Sequence, residues 1–77
     1  MFYEIVREII TSAEVSQVDI SEKLGKGKRY IGVLLTKLKS ANESVTVATF
    51  ARICRVCGAR VLVVSKSGRV TDLTDFF

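Results

Sequence analysis

Residues 16–39 constrain the fold of this chain most, because two short segments with helical apolar spacing meet there at one glycine. Ile20 and Leu24 are one helical turn apart in the first segment. The second segment has the same kind of spacing, at Ile31, Leu34, Leu35 and Leu38. Gly25 lies between the segments and is free to adopt the positive φ that ends a helix. This pattern predicts two helices joined by a tight turn.

The same part of the chain has a one-sided charge. No acidic residue occurs from Lys23 through Asn42, although six of the twelve Lys and Arg residues fall there. These six are Lys23, Lys26, Lys28, Arg29, Lys37 and Lys39. A helix with a basic outer face suits a polyanion, and the major groove of DNA admits one helix. We therefore expect the segment to bind double-stranded DNA.

The length of 77 residues corresponds to one domain and leaves little room for a buried catalytic cavity. The net charge is +4, and no apolar run approaches the roughly 18 to 20 residues of a membrane-spanning helix. The N-terminus lacks the basic region and cleavage site of a secretory signal. These features favour a cytoplasmic protein.

Helical spacing predicts a further helix at the N-terminus, fraying near residues 11–13. Its apolar residues are Phe2, Ile5, Val6, Ile9 and Ile10. Ser16 is the predicted N-cap of the second helix, where Asp19 places a negative charge in the first turn. The third helix is predicted from about Lys28 to Lys39.

Residues 40–44 are polar and predict a loop, after which Thr46 is expected to cap a fourth helix that ends at Gly58. Residues 59–65 and 69–73 are then expected to pair as a hairpin around a turn at Ser67 and Gly68. The expected fold is mainly α: a compact four-helix core over residues 1–58, followed by a C-terminal β-hairpin or tail over residues 59–77. Both belong to a single domain.

The residues from Gln17 to Gly25, followed by Lys28 to Ile31 and Leu34, resemble the helix-turn-helix of the phage repressor and Cro-type regulators. In that family's pattern one position of the first helix holds a small residue, most often Ala. This chain has Ser21 at that position, which is also small. The resemblance continues from Thr46 to Gly58 and covers roughly residues 3–64. It implies a lambda-repressor-like fold, in which the hairpin replaces the fifth helix of many members.

The resemblance implies that the chain is a sequence-specific transcriptional regulator, namely a phage or prophage repressor in the bacterial cytoplasm or nucleoid. Such a protein occupies a palindromic operator as a dimer and excludes polymerase. Two other functions are compatible with the sequence: a protein-interaction module on the same fold, such as an antirepressor or an inhibitor of a host protein, and a DNA-binding antitoxin.

The DNA-facing positions of the third helix should lie opposite its apolar residues. The expected base contacts are Lys28, Arg29, Gly32 and Val33. Lys28 and Arg29 are able to donate to the guanine O6 and N7 acceptors, and Val33 is placed to touch a thymine methyl group. The expected phosphate contacts are Gln17, Lys26, Thr36, Lys37 and Lys39.

Each of these residues also has a structural explanation. Exposed Lys and Arg side chains are ordinarily solvated surface. Gly32 is also explained if the first and third helices pack closely. Gln17, which could contact a phosphate or brace Lys28, is also explained if it only begins a helix. The basic cluster as a whole, without compensating acids, favours the DNA interpretation.

The remaining sequence features predict no catalysis, cofactor or metal. Cys54 and Cys57 form a C-x-x-C pair, but the chain has no histidine and no second cysteine pair to complete a four-ligand zinc site. The helix C-terminus also disfavours a thiolate. We expect both cysteines to be buried and reduced, and we expect no small-molecule ligand.

The C-terminal tail is unusually apolar. Both faces of a strand over residues 61–64 are apolar, so one is able to cover the helices while the other needs a partner. The alternative is that the tail folds back onto its own helices. We expect a homodimer interface formed by Val61, Val63, Val70, Leu73, Phe76 and Phe77.

Overall fold

The computed structural model describes residues 2–40 and 45–77, and within them the protein is mainly helical with one small hairpin. Its elements are α1 (Phe2–Ser12), α2 (Gln17–Lys23), α3 (Tyr30–Lys39), α4 (Val47–Cys57), β1 (Leu62–Val64) and β2 (Val70–Asp72). The predicted loop over residues 40–44 lies outside the described residues, apart from Ser40.

One apolar core lies between the four helices. Its buried members come from every helix: Val6, Ile10, Ile20, Ile31, Leu38, Ala51, Ile53 and Cys54. The Phe2 and Phe50 rings, with centroids 5.1 Å apart, pack α1 against α4 at one side of it. Burial of these helix faces holds α2 and α3 at fixed positions on the surface.

The ends of α2 follow the sequence prediction. The Ser16 hydroxyl accepts a hydrogen bond from the Asp19 amide at 3.0 Å, which satisfies one free N–H of the first turn. At the other end Gly25 has φ +73°. The Lys26 amide then reaches back to the Ser21 carbonyl at 3.0 Å, as in a Schellman motif. A glycine is required there because side chains disfavour this φ.

α3 begins later than predicted. Lys28 and Arg29 precede the helix, in a turn closed by the Tyr30 amide donating to the Gly27 carbonyl at 3.0 Å. Arg29 occupies the N-cap position without a side-chain cap bond. The physical reason is that neither side chain carries the acceptor oxygen that begins a helix, whereas two nearby glycines favour a longer turn.

Ser21 supplies the acceptor that the start of α3 lacks. Its side chain is fully buried; its hydroxyl donates to the Gln17 carbonyl at 2.8 Å and accepts from the Ile31 amide at 3.1 Å. The Ile31 N–H belongs to the first turn of α3 and has no partner within that helix. One small polar residue on α2 thus satisfies a buried donor on α3.

α4 and the hairpin have the predicted signals at their ends. The Thr46 hydroxyl accepts from the Thr49 amide at 3.1 Å, and Gly58 ends the helix with φ +75°. In the hairpin, Val63 pairs with Thr71 and Val64 with Val70, around a turn where Gly68 has φ +89°.

The base of the hairpin is held by polar contacts. Arg60 Nε donates to the Asp72 carboxylate at 2.8 Å, and the Val61 amide donates to the buried Thr74 hydroxyl at 2.8 Å. Hydrogen bonds from the Thr74 side chain and backbone, followed by Arg60, lower the pKa of Asp72. These bonds anchor the strands without covering them.

All six strand residues are exposed. The expectation that one face of the hairpin covers the helices is therefore wrong, and the strands do not fold back onto them either. Half-buried Val61 and Leu73 lie just beyond the strand ends, at the base of the hairpin. The molecule is elongated as a result, with extents of 41 × 25 × 20 Å.

Replacing Ser21 by Ala should lower the free energy of unfolding by about 1 to 3 kcal/mol, because the buried Ile31 amide loses its acceptor. Chemical denaturation measures the change. Ser12→Ala is the matched control, since the Ser12 hydroxyl bonds Glu8 at an exposed position; we expect a change within about 0.5 kcal/mol. Equal effects of the two substitutions would contradict the role given to Ser21.

Candidate nucleic-acid interface

An open cleft of about 560 Å³ runs between the start of α2 and the outer face of α3. Its lining residues are Gln17, Val18, Lys28, Arg29, Gly32, Val33, Thr36 and Lys37. Seven of the nine residues predicted to contact DNA are among them. The apolar spacing of α3 therefore identified its outward face correctly, although Lys28 and Arg29 approach that face from the preceding turn.

Gly32 lies opposite α2 rather than α1. A Cβ atom at this position would be 3.6 Å from Gln17 Oε1, which is ordinary van der Waals contact. The nearest neighbour is thus the end of a flexible side chain, and no atom of α1 lies within 4 Å. Close packing of α1 and α3 therefore does not explain Gly32, which lines the cleft instead.

Thr36 is already engaged within α3. Its hydroxyl donates to the Gly32 carbonyl at 3.0 Å, so its proton is unavailable to a phosphate oxygen while that bond persists. Lys37 is exposed on the same face and has no such constraint.

Lys26 and Lys39 lie outside the cleft. The Lys26 ammonium nitrogen is 5.5 Å from the centroid of the Tyr30 ring, a cation–π distance. Lys26 and Tyr30 border a smaller cleft that Arg52 also lines. Lys39 is exposed in the last turn of α3. Both lysines are therefore placed to contact a surface beyond the main cleft, and Arg52 is a further cation on the Lys26 side.

The charge at the start of α3 is uncompensated. Lys28 and Arg29 lie at the positive end of the helix dipole, where cations are unfavourable and anions are stabilising. The first turn of α3 has no acidic residue. Between residues in the described ranges the structure records one ion pair, Arg60 with Asp72, at the far hairpin. The described residues that line the cleft thus include three cations and no carboxylate.

The cysteines carry no comparable chemistry. Cys54 is buried as predicted, whereas Cys57 is only half-buried. Burial, and secondly Cys57, raises the pKa of Cys54, and burial raises the pKa of Cys57. Both thiols are therefore protonated at neutral pH. Within the described residues no cluster of three potential metal ligands occurs.

The six residues predicted for a dimer interface do not share one face of the hairpin. Strand alternation places Val61, Val63 and Leu73 on one face. Val70 pairs with Val64 and therefore lies on the other face. Phe76 and Phe77 follow the strands, exposed by 77% and 41%, with ring centroids 5.5 Å apart.

Sequence reasoning missed several residues at these surfaces. Val18 is an apolar residue next to Gln17 and outside the Ile20 stripe, and this displacement was a usable signal of exposure. Leu62 and Val64 share one exposed face of the hairpin with Val70 and Asp72, and only the strand register reveals this.

None of the helices among the described residues is long and apolar enough to cross a membrane. Comparison of the chain with protein-family models, with curated proteins and with solved structures gave no match.

Proposed function

We propose that this protein is a sequence-specific, DNA-binding transcriptional regulator with a lambda-repressor-like helix-turn-helix. α2, the turn at Gly25 and α3 form the binding unit, and α3 enters the major groove. The observation that carries the proposal is the uncompensated positive charge at the start of α3, beside an open cleft. Such an arrangement opposes folding in the free protein and favours binding of a polyanion.

The geometry supports a division of roles. Lys28 and Arg29 precede α3 and border the cleft, so they approach base edges at the helix N-terminus, as recognition helices do. Gly32 and Val33 supply the rest of the base-facing surface. Gln17, Lys26, Lys37 and Lys39 are assigned to phosphates, which fix register without reading sequence. Thr36 joins them only if its hydroxyl releases the Gly32 carbonyl.

The setting as a phage or prophage repressor rests on the family resemblance. An antitoxin would use the same surface on DNA. The protein-interaction alternative is favoured by a different observation, the exposed apolar hairpin. Binding to random duplex DNA at low salt separates the two DNA-binding functions from the protein-interaction module, because an interaction module needs no affinity for DNA.

A homodimer completes the proposed function, since one recognition helix contacts few base pairs. Two copies related by a two-fold axis would read half-sites about 34 Å apart. The exposed hairpin is the proposed contact. The Leu73 amide donates to the Val61 carbonyl, and the Ser65 amide to the Arg69 carbonyl. The backbone groups of odd-numbered residues in the first strand therefore form hydrogen bonds with the second strand. Those of Leu62 and Val64 point away from the hairpin.

The β1 edge is the one suited to self-association. It is uncharged, whereas the outward-pointing residues of β2 include Asp72, already paired with Arg60. Charged edges resist strand addition and uncharged edges permit it. Pairing of β1 with β1 of a second copy brings together the two faces that carry Leu62, Val64 and Val70; the one charged strand residue on each face, Asp72, is already paired with Arg60.

Arg29→Ala should weaken binding to the preferred site by about 1 to 3 kcal/mol and flatten discrimination at one base pair. Lys39→Ala should weaken all sequences alike and reduce the magnitude of the log–log salt slope by about 0.9. Binding to specific and random duplexes over a salt series measures both. Lys66→Ala is the control. Lys66 lies in the hairpin turn, so its loss should leave the affinity for both duplexes unchanged. Identical behaviour of the Arg29 and Lys39 variants would refute the division of roles.

In the dimer, the Leu62 and Val64 amides should become protected from hydrogen exchange as protein concentration rises. Val64→Lys should produce a monomer in sedimentation and weaken operator binding. Val70→Lys is matched in face and exposure but lies on the other strand, so we expect a smaller effect. A chain that stays monomeric at tens of micromolar, yet binds a single palindrome tightly, would rule out this interface.

A further inference from the structure

A second group of cations lies on α4 and in the turn before α3. Arg52 and Arg55 are exposed on α4, and their spacing of three residues places them on one face of the helix. Arg52 also lines the smaller cleft, together with the exposed Lys26 of the turn. Lys26, Arg52 and Arg55 therefore form a basic surface, called the α4 surface below, that is separate from the outer face of α3.

The α4 surface has the same one-sided charge as the main cleft. The sequence contains no acidic residue from Val45 through Thr71. Among the described residues no carboxylate lines the smaller cleft, and the one recorded ion pair is Arg60 with Asp72. Exposed cations of a soluble domain are ordinarily interspersed with acids, whereas a cleft lined by one sign of charge concentrates ions of the opposite sign. The α4 surface is therefore suited to an anion.

Lys26 is positioned at this surface by its contact with Tyr30. The ammonium nitrogen of Lys26 is 5.5 Å from the centroid of the Tyr30 ring. Tyr30 is the first residue of α3 and packs against the core, so its ring is a fixed platform. A lysine loses side-chain entropy when it is ordered at an interface, and a contact made in advance reduces this loss. The cation–π contact thus favours binding of an anion by Lys26.

The α4 surface is continuous with the main cleft. Lys26 lines the smaller cleft and Lys28 lines the main one, and both residues belong to the connection between α2 and α3. A single rigid polyanion is therefore able to contact both surfaces. Duplex DNA is such a polyanion, because its phosphates continue on either side of the base pairs that one helix reads. A small anion would occupy only one of the two clefts.

We propose that the α4 surface binds the phosphate backbone of DNA beside the base pairs that α3 reads, so that the protein occupies more DNA than it reads. The inference rests on the proposed function and extends it to a second helix. Arg52 and Arg55 donate hydrogen bonds to phosphate oxygens there. Such contacts add affinity without adding sequence preference.

The test uses the full chain and a preferred site that is selected from random duplexes and extended at both ends by unrelated sequence. Base substitutions first identify the base pairs that are read. Single phosphates are then replaced by uncharged methylphosphonates, one position at a time. We expect Kd to rise severalfold at one or more phosphates outside the base pairs that are read.

The variant that combines Arg52→Ala with Arg55→Ala should make those outside phosphates insensitive to replacement. The magnitude of its log–log salt slope should fall by about 0.9 for each lost contact, and its discrimination between bases should stay unchanged. The matched control combines Arg7→Ala on α1 with Lys66→Ala in the hairpin turn. It removes the same charge at two exposed positions and should keep every phosphate sensitivity of the unmodified chain.

Several outcomes would overturn the inference. Identical phosphate sensitivities in the two double variants would mean that Arg52 and Arg55 do not make the contacts. If every sensitive phosphate lies within the base pairs that are read, the inference fails and the proposed function stands. Sedimentation in excess DNA that finds two duplexes per protein dimer also overturns it, because the α4 surface then holds a separate duplex. Failure to bind any duplex at low salt overturns the proposed function itself, and the inference with it.

Discussion

The buried hydroxyl of Ser21 is the contact on which the arrangement of α2 and α3 depends. It bonds the Gln17 carbonyl within its own helix and the Ile31 amide of the next. Because α3 has no side-chain cap of its own, this bond satisfies a buried donor at the start of α3. Together with the burial of Ile20 and Ile31 in the core, it holds the start of α3 against α2.

Several residues at the outer face of α3 are unfavourable for the stability of the folded protein, and this indicates that they serve a function. Cations precede the positive end of α3, a glycine occupies the middle of its outer face, and two valines remain exposed beside it. Each choice is locally unfavourable, and all three meet in one cleft. Local conflicts of this kind concentrate at functional sites, because a ligand relieves them. In the proposed function, a DNA major groove would relieve all three, through phosphates, close approach and methyl groups.

The sequence predicted the features that depend on local chemistry. Ser16, Thr46 and Gly58 act at the helix ends as expected, and the apolar spacing of α3 identified the cleft. The start of α3 was misplaced, because the acceptor that supports it comes from Ser21, ten residues away. The exposure of the hairpin was also missed, since strand composition does not state what packs against a strand. Which valines share a face of the hairpin depends on the register between β1 and β2, which strand composition does not specify.

DNA binding by α3 is tested most directly by backbone amide NMR of the full chain, titrated with a short random duplex at low salt, where phosphate attraction is strongest. If α3 binds DNA, the largest changes in amide chemical shift should occur at the start of α2 and along the outer face of α3, at Gln17, Gly32 and Val33. Amides of the hairpin turn, such as Gly68, should move least. Changes concentrated in the hairpin, or none at all, would contradict a DNA-binding role for α3.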